Sequence, residues 1–572
     1  MEQTVSIGSQ SFEYMRQEQA FYIDKTGLIK EWWENKDDVT LITRPRRFGK
    51  TLNLSMIECF FSVRHAGRGG LFEGLSIWED EEYRRLQGTY PVISFSFAEV
   101  KGRDFQTARE GIIAVLEELY RKHDYLLQSD TLSDAEKKNY DTFGQYVGPD
   151  RNPRKELTDT VISRAVKTLM SYLARHYGSK VIVLLDEYDT PMQEAFVCGY
   201  WEELAALIRS MFHSTFKTND YLYRAILTGI MRVSKESVFS DLNNLMVVTA
   251  LSQEYSTCFG FTQDEVFCAL DQMGMQEEKE QVRFWYNGFW SGSRNDIYNP
   301  WSVMMFLRTK EYAPYWADSS SNALVSELIK KGTPQMKMQM EDLLDGRCLE
   351  AVLDEQAAFE QLNRKKDAVW SLLAACGYLK PENRRFDHAK GKFVYQLKIT
   401  NYETQMMFRE MIEGWFPEDE TSYGNFKEAL LLGDLEYMNQ YMNEVSAEMF
   451  SSFDTGRRPS EKTHPERFYH GFVLGLIVDL AGRYHIRSNR QSGLGRYDVM
   501  MEPLRPDDDA VIMEFKVFSP QKDKTMQQAA ENALAQIEKM KYDTELLARG
   551  IEKERIRHYG FVFDGQEVLI CG

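Results

Sequence analysis

A chain of 572 residues is longer than one hydrophobic core serves, so several folding units are expected. Hydrophobic residues at 43% and charged residues at 27% are globular proportions, which exclude a fibrous repeat or a wholly disordered chain. A formal net charge of -18 excludes a protein that coats nucleic acid non-specifically, because such binding draws on clustered Lys and Arg; any nucleic-acid site must be local.

The first residues, MEQTVSIGSQSFEY, lack the basic start and apolar stretch of a signal peptide, and no apolar run approaches the roughly 18 residues of a membrane span. The seven cysteines, Cys59, Cys198, Cys258, Cys268, Cys348, Cys376 and Cys571, form no C-x-x-C pair. A reduced, cytoplasmic compartment without membrane association is the expectation.

From Ala20 to about Ala250, short β-branched runs alternate with helical stretches, the pattern of a parallel α/β sheet. The strands are VTLI, PVISFSF, VIVLL and YRAILTG; the helices between them include TLNLSMIECFF, TAREGIIAVLEELYRKH and DTVISRAVKTLMSYLARHY. The polar stretch from about Gln128 to Lys155 reads as an insertion or loop.

The first strand runs into Arg44-Pro45-Arg46-Arg47-Phe48-Gly49-Lys50-Thr51 and then into a helix. Strand, tight loop, Lys and hydroxyl residue are what a phosphate-binding P-loop needs, although Arg44 stands where the motif has Gly. Lys50 is expected on the β and γ phosphates and Thr51 on Mg²⁺. Further on, Val181-Ile182-Val183-Leu184-Leu185-Asp186-Glu187 has the Walker B form: Asp186 to hold hydrated Mg²⁺, and Glu187 to orient or deprotonate the attacking water. YRAILTG ends near Thr228 and is followed by Arg232, a polar sensor and a cation for the γ phosphate. The expected nucleotide site thus comprises Arg44, Arg46, Arg47, Phe48, Gly49, Lys50, Thr51, Asp186, Thr228 and Arg232.

After Ala250, aromatic clusters such as FWYNGFW and IYNPWSVMMFL suggest a helical lid. Between Lys365 and Phe416, the helix DAVWSLLAACG, the hairpin-like pair GYLKPE and FVYQLKI, and the helix YETQMMFREMIEGWF suggest a winged-helix-like connector. Basic residues gather from Arg457 to Arg496 as a local candidate for nucleic-acid contact. The apolar segment FVLGLIVDLAG carries Asp479 and reads as a buried helix.

From about Gly424 the pattern returns to α, β and α, with strands RYDVMMEP, AVIMEFKV and HYGFVFD. Cutting a phosphodiester needs a divalent metal held by carboxylates and a cation to position water. Asp498 lies in the first of these strands, and the second carries Glu514 and Lys516, whose i, i+2 spacing puts them on one strand face. Val511, Ile512, Met513, Phe515 and Val517 make that strand largely buried, where charge is costly unless paired or metal-bound. Glu466 sits in an upstream helix with His470, and Gln536 in a downstream helix.

The run Tyr22-Ile23-Asp24-Lys25-Thr26, the loop RPRRFGKT, the strand end DEYDTP and the stretch TGIMRVSKESVFSDLNNL resemble the AAA-ATPase-like domain family of bacterial proteins over roughly residues 5 to 250, and on through YNGF and IYNPWS. In that family the loop commonly reads RPRRFGK without the leading Gly. The helix Glu, strand Asp, strand E-x-K and helix Gln resemble the PD-(D/E)XK nuclease domain over about residues 455 to 565. This second resemblance implies metal roles for Asp498 and Glu514, a water-positioning or charge-stabilising role for Lys516, and supporting roles for Glu466 and Gln536.

The expected fold is therefore α/β: a P-loop ATPase sheet in residues 1–250, a helical lid and winged-helix-like connector in 251–423, and a restriction-endonuclease-like α/β/α nuclease domain in 424–572. The expected function is an ATP-regulated nuclease using ATP with Mg²⁺, or Mn²⁺ at the nuclease site. It would act on DNA or RNA, with defence against foreign nucleic acid as its role by analogy. The alternative is an ATP-driven switch or signalling adaptor that does not cut. ATPase sheets of this sort often assemble, so a homo-oligomer is also among the expectations.

Overall fold

The computed structural model describes residues 4–144, 157–231, 238–239, 242–318, 323–330, 334–344, 346–353, 368–388, 391–413, 422–449, 473–474, 476–477, 480, 482–488, 491–492, 495–564 and 567–572. It divides into two compact units, Met1–Ser321 with Cys348–Gln405, and Asn322–Arg347 with Met406–Gly572. No helix of the described residues is long and apolar enough to cross a membrane.

The first unit is built on a parallel sheet of β1 (Val39–Thr43), β2 (Val92–Ser96), β3 (Val181–Asp186), β4 (Leu222–Gly229) and β5 (Leu245–Val248), in the order β2-β3-β4-β1-β5. β1 and β3 are buried along their whole length. Parallel strands covered on both faces read as continuous apolar runs rather than alternating ones, which is why these were visible in the sequence. Between them lie the helices Lys50–Phe61, Phe105–Lys122, Asp159–Tyr177 and Trp201–Phe216. The Asp104 side chain caps the second by accepting from Thr107 N, and Gly178, at φ 67°, ends the third in the left-handed region that costs glycine least. The stretch expected as a loop from Gln128 contains a helix, Asp134–Gly144, tied down by Tyr140 donating to the Tyr120 carbonyl at 2.7 Å; positions 145–156 lie outside the described residues.

The segment expected to form a helical lid is not purely helical. It holds an antiparallel sheet of β6 (Phe261–Thr262), β7 (Asn287–Ser291) and β8 (Arg294–Tyr298), ordered β6-β8-β7. Gly292, at φ 63°, turns β7 into β8, so the sequence NGFWSGSRNDIY folds as a hairpin where aromatic content alone suggested helix. Val266, Leu270, Val282, Tyr286, Tyr298 and Phe306 pack as its core. The connector holds the helix Ala368–Ala375 and a three-stranded sheet, β10-β11-β9, of β9 (Leu349–Ala351), β10 (Leu379–Asp387) and β11 (Lys392–Ile399).

The second unit is a mixed sheet of β12 (Tyr484–Ser488), β15 (Val499–Pro503), β16 (Ala510–Val517), β17 (Ile556–Asp564) and β18 (Glu567–Cys571) in that order, with only β16 and β17 parallel. A separate two-residue pair, β13 (Gln491–Ser492) and β14 (Gly495–Arg496), precedes β15. Strand alternation sorts β16 between two cores. Val511, Met513 and Phe515 pack with Leu430 and Met438 of the helices Ser422–Leu432 and Leu435–Met449, and with Leu476 and Ile477 of the apolar segment expected to be buried. Ala510 and Ile512 pack instead with Ile537 of the helix Met526–Met540.

Candidate active sites

At the nucleotide loop, β1 hands the chain to the helix Lys50–Phe61 through backbone that is left-handed at Arg47 (φ 61°) and Gly49 (φ 80°). No side chain caps this helix and its first turn carries no acid, so its N-H groups and dipole remain available to an anion. The Lys50 ammonium, 7% exposed, donates to the carbonyls of Arg44 at 3.0 Å and Pro45 at 2.8 Å. Burial pushes its pKa down, while the carboxylates of Asp186, Asp189 and Glu187 pull it back up.

β4 lies between β1 and β3, which brings the ends of all three strands together. Asp186 accepts from Thr51 Oγ1 at 2.6 Å through one oxygen, and from Thr228 Oγ1 and the Glu187 N-H through the other. Hydroxyl and carboxylate oxygens of this kind suit Mg²⁺. Glu187 itself is left-handed, at φ 48°, a costly conformation for a residue with a Cβ and one that tends to persist where function needs it.

The structure gives the loop arginines other surroundings. Arg44 is buried and turned away from the loop, donating to the carbonyls of Thr43 at 2.9 Å and Tyr255 at 3.4 Å; burial lowers its pKa to about 10. Arg47 lies over the Trp301 ring at 4.5 Å, and Phe48 packs edge-on against Phe289 at 5.0 Å. The Arg46 carbonyl accepts from Asn299 Nδ2 at 3.2 Å and Trp316 Nε1 at 3.1 Å, so residues of the segment after Ala250 hold the loop. Arg232 lies outside the described residues.

Two residues here escaped the sequence reading. Asn299 both caps the helix Pro300–Thr309 and holds the loop, a role hidden in an ordinary Asn-Pro helix start. Asp189 is fully buried; one oxygen accepts from the N-H groups of Ile230 at 3.0 Å and Met231 at 3.1 Å, and the other has no partner among the described residues. Burial raises its pKa despite those amides and Lys50. Its signal was the third acid of DEYD.

At the second site, the β15–β16 register pairs Val499 with Met513, and one further step sets Asp498 beside Glu514. Asp498 accepts from the Phe515 N-H at 2.8 Å. Glu514, 3% exposed, and Lys516 project to the side of β16 that faces the helix Met526–Met540. Lys516 Nζ donates to Glu514 at 3.3 Å and to Gln536 Oε1 at 2.7 Å, and Gln536 Nε2 donates to the same Glu514 oxygen. The helix comes this near because Gly560 stands opposite Glu514 in the register with β17; a Cβ there would lie 2.9 Å from the Ala530 carbonyl. Tyr542, which accepts from Gln536 Nε2 at 3.4 Å, is a further member that the sequence did not announce. Burial raises its phenol pKa, and the charges of Glu514 and Asp498 push the same way.

Glu466 and His470 lie outside the described residues, as do Arg457, Arg458, Lys462, His464, Arg467 and Arg490 of the basic stretch. Of that stretch, Arg483 is paired with Asp508, and Arg487 with Glu502 and Glu545. Elsewhere among the described residues, Glu13, Cys59 and His65 bring their ligand atoms within 4.8 Å of one another. Arg68 already pairs with that glutamate, and burial pushes the Cys59 thiol up to about 12, so the trio is a poor anionic donor set.

Residues 6–239 match the AAA-ATPase-like family, described as a predicted AAA-ATPase, and residues 464–572 match the PD-(D/E)XK nuclease superfamily. An uncharacterised protein in the vnfD 5' region of Azotobacter chroococcum mcd 1 is 29% identical over 343 residues. The match covers 58% of this chain and 58% of that protein, less than two thirds of its length.

Proposed function

From a chain that carries an AAA-ATPase-like domain and a PD-(D/E)XK nuclease-superfamily domain, we propose an ATP-regulated, metal-dependent nuclease that hydrolyses phosphodiester bonds of DNA or RNA. The observation that carries this reading is Glu514: a carboxylate 3% exposed within a sheet core, beside Asp498 and bound on its own face by Lys516 and Gln536. Burying such a charge costs several kcal/mol, roughly, unless it is paired or binds metal, and a structural role would be met more cheaply by an apolar residue.

Asp498 and Glu514 are the residues that would hold Mg²⁺ or Mn²⁺, as hard oxygen donors suit. Bound there, the ion supplies a polarised phosphate and a water of lowered pKa. Lys516 would position the attacking water or stabilise charge on the phosphate, and Gln536 holds both Glu514 and Lys516. At the other site, Lys50 would meet phosphate oxygens in place of the Arg44 and Pro45 carbonyls, Thr51 and Asp186 are the residues that would hold Mg²⁺, and Glu187 would orient the attacking water. Clearing foreign nucleic acid is the cellular role this reading favours, by analogy with other nucleotide-controlled nucleases.

The test is incubation of the purified chain with labelled DNA and RNA, with Mg²⁺ or Mn²⁺, with and without ATP. Glu514→Ala, Asp498→Ala and Lys516→Ala should each lower cleavage at least about a hundredfold, within the range seen when one electrostatic group is removed from an active site. ATP turnover should stay near wild type. Cleavage by Lys516→Ala at the wild-type rate would remove that residue from the mechanism, and ATP turnover without any cleavage would favour the non-cutting switch.

A further inference from the structure

Glu403 is a carboxylate with no exposed surface, and the chemistry proposed for the two sites does not use it. It stands in the first turn of the helix Tyr402–Glu413, which is opened by Asn401, whose Oδ1 accepts from Thr404 N at 3.0 Å and Thr404 Oγ1 at 2.7 Å. The Glu403 carboxylate accepts from two other segments. Ser302 Oγ of the helix Pro300–Thr309 donates to it at 2.9 Å, and the backbone N-H groups of Trp316 and Ala317 donate to its Oε1.

Both segments also hold the nucleotide loop. Asn299 caps the helix that carries Ser302 and donates to the Arg46 carbonyl, and the Trp316 ring donates to the same carbonyl. Asn299, Ser302 and Trp316 are all buried. One carboxylate thus fixes the two elements that supply both donors of one loop carbonyl. Bonds to an ionised acceptor are roughly twice as strong as neutral ones, and breaking one leaves its partner buried and unsatisfied, so such a cluster tends to shift as a body rather than bond by bond.

Chain connectivity supplies the other half of the argument. The chain leaves the first compact unit at Ser321 and again at Gln405. Trp316 and Ala317 lie just before the first exit and Glu403 just before the second, so the bonds between them tie the holders of the loop to both. The second exit falls inside the helix Tyr402–Glu413, which continues through buried Met407 and Phe408 of the second unit. Because each turn of a helix is bonded to the next, a displacement of its first turn is carried along it.

We propose that Glu403 is the positioning residue that couples the nucleotide loop to the nuclease-superfamily unit. A shift of the Arg46 carbonyl on ATP binding passes through Asn299 and Trp316 to the Glu403 carboxylate, and from there along the helix Tyr402–Glu413. This names the route of the regulation in the proposed function and rests on that reading.

The experiment uses the full chain carrying Glu187→Gln, so that bound ATP is not consumed, and adds either Glu403→Gln or Ser302→Ala. Glu403→Gln keeps an acceptor oxygen for the Trp316 N-H but removes the charge; Ser302→Ala removes one donor and carries the test if the first variant does not fold. Two quantities are read with and without saturating ATP: cleavage of labelled DNA and RNA in excess metal, and hydrogen exchange of peptides from Tyr402–Glu413. In the parent, ATP should change cleavage several-fold and alter that exchange. In both variants the cleavage rates with and without ATP should converge and the exchange response should disappear, while nucleotide-free cleavage and ATP binding stay near those of the parent. A merely structural Glu403 would lower the unfolding midpoint and both cleavage rates in step, leaving their ratio unmoved.

An undiminished effect of ATP on cleavage in the variants, or an unmoved ratio with lowered stability, would overturn the proposal while leaving the ATP-regulated nuclease standing. An exchange response that depends on Glu403, in a protein that never cuts, would support the coupling and end the nuclease reading. Cleavage and exchange both indifferent to ATP in the parent would overturn the coupling and the regulation together.

Discussion

Lys50 sits where two kinds of acceptor compete for it. In the structure its ammonium is held by the carbonyls of Arg44 and Pro45, and the carboxylates that draw its pKa up against burial are Asp186, Asp189 and Glu187. On the proposed reading, ATP binding would trade those carbonyls for phosphate oxygens, which form stronger, charge-assisted bonds of roughly 1.5–3 kcal/mol. Lys50→Ala should therefore weaken ATP binding by at least about tenfold in a calorimetric titration. Asp189 allows a sharper test. Its folded pKa is raised above the ordinary 3.8, so the native state holds its proton more tightly than the unfolded chain does. Stability from this group is thus present below the ordinary value and is lost as pH rises through the raised one. Asp189→Asn keeps an oxygen for the Ile230 and Met231 amides and removes the buried charge. Its unfolding midpoint should match wild type in acid and exceed it near neutral pH, while ATP turnover falls several-fold because Lys50 loses a nearby carboxylate. A constant difference in midpoint across pH would show that this carboxylate is not the titrating group.

At the level of elements, the second site depends on how closely one helix lies against one strand pair. The face of Met526–Met540 that meets the sheet is made of Ala529, Ala530 and Ala533, all buried, and β17 answers with Gly560. That small-residue contact is what lets Gln536 reach Glu514 and Lys516 together. Gly560→Ala inserts a methyl 2.9 Å from the Ala530 carbonyl and 3.1 Å from the Ala533 Cβ, so the helix must move by a few tenths of an ångström. Overpacking of this kind costs about 1–3 kcal/mol. Urea unfolding should detect that loss, and cleavage should fall about tenfold with ATP turnover unchanged, since misplacement on this scale is costly to catalysis. Full cleavage in a destabilised Gly560→Ala protein would mean that Gln536 does not need its observed position.

For the whole molecule, the nucleotide loop and the carboxylate cluster belong to different compact units, so any influence of ATP on cleavage must pass from one unit to the other. The loop is well placed to report its state, since Asn299 and Trp316 hold the Arg46 carbonyl and Trp301 carries Arg47. On the proposed reading, a shift of the loop on ATP binding would act on those contacts. A switch from 1:99 to 99:1 needs about 10⁴-fold preferential binding, roughly 5.5 kcal/mol, which a bound triphosphate can supply. Cleavage rates should therefore differ at least several-fold between nucleotide-free protein and Glu187→Gln protein saturated with ATP, in excess metal. Equal time courses would leave two tethered, independent enzymes.

The sequence by itself determined the elements whose signals are local. A buried parallel strand must be apolar along its length, a phosphate loop needs its Gly-Lys-Thr, and i, i+2 spacing puts Glu514 and Lys516 on one face whatever surrounds them. Those rules made β1, β3, β16 and their charged ends readable in advance. Tertiary structure decided what depends on approach between distant segments. The turn at Gly292 made a sheet of part of the lid, and burial turned Arg44 away from the loop it was expected to serve. Folding of β4 against β3 set Asp189 under the amides of Ile230 and Met231. Tyr542 is linked to Glu514 through Gln536, whose helix closes on the sheet at Gly560, a contact spanning residues that no periodicity connects. Period and motif report which face a residue takes, whereas the partner on that face is chosen by packing between segments far apart in the chain.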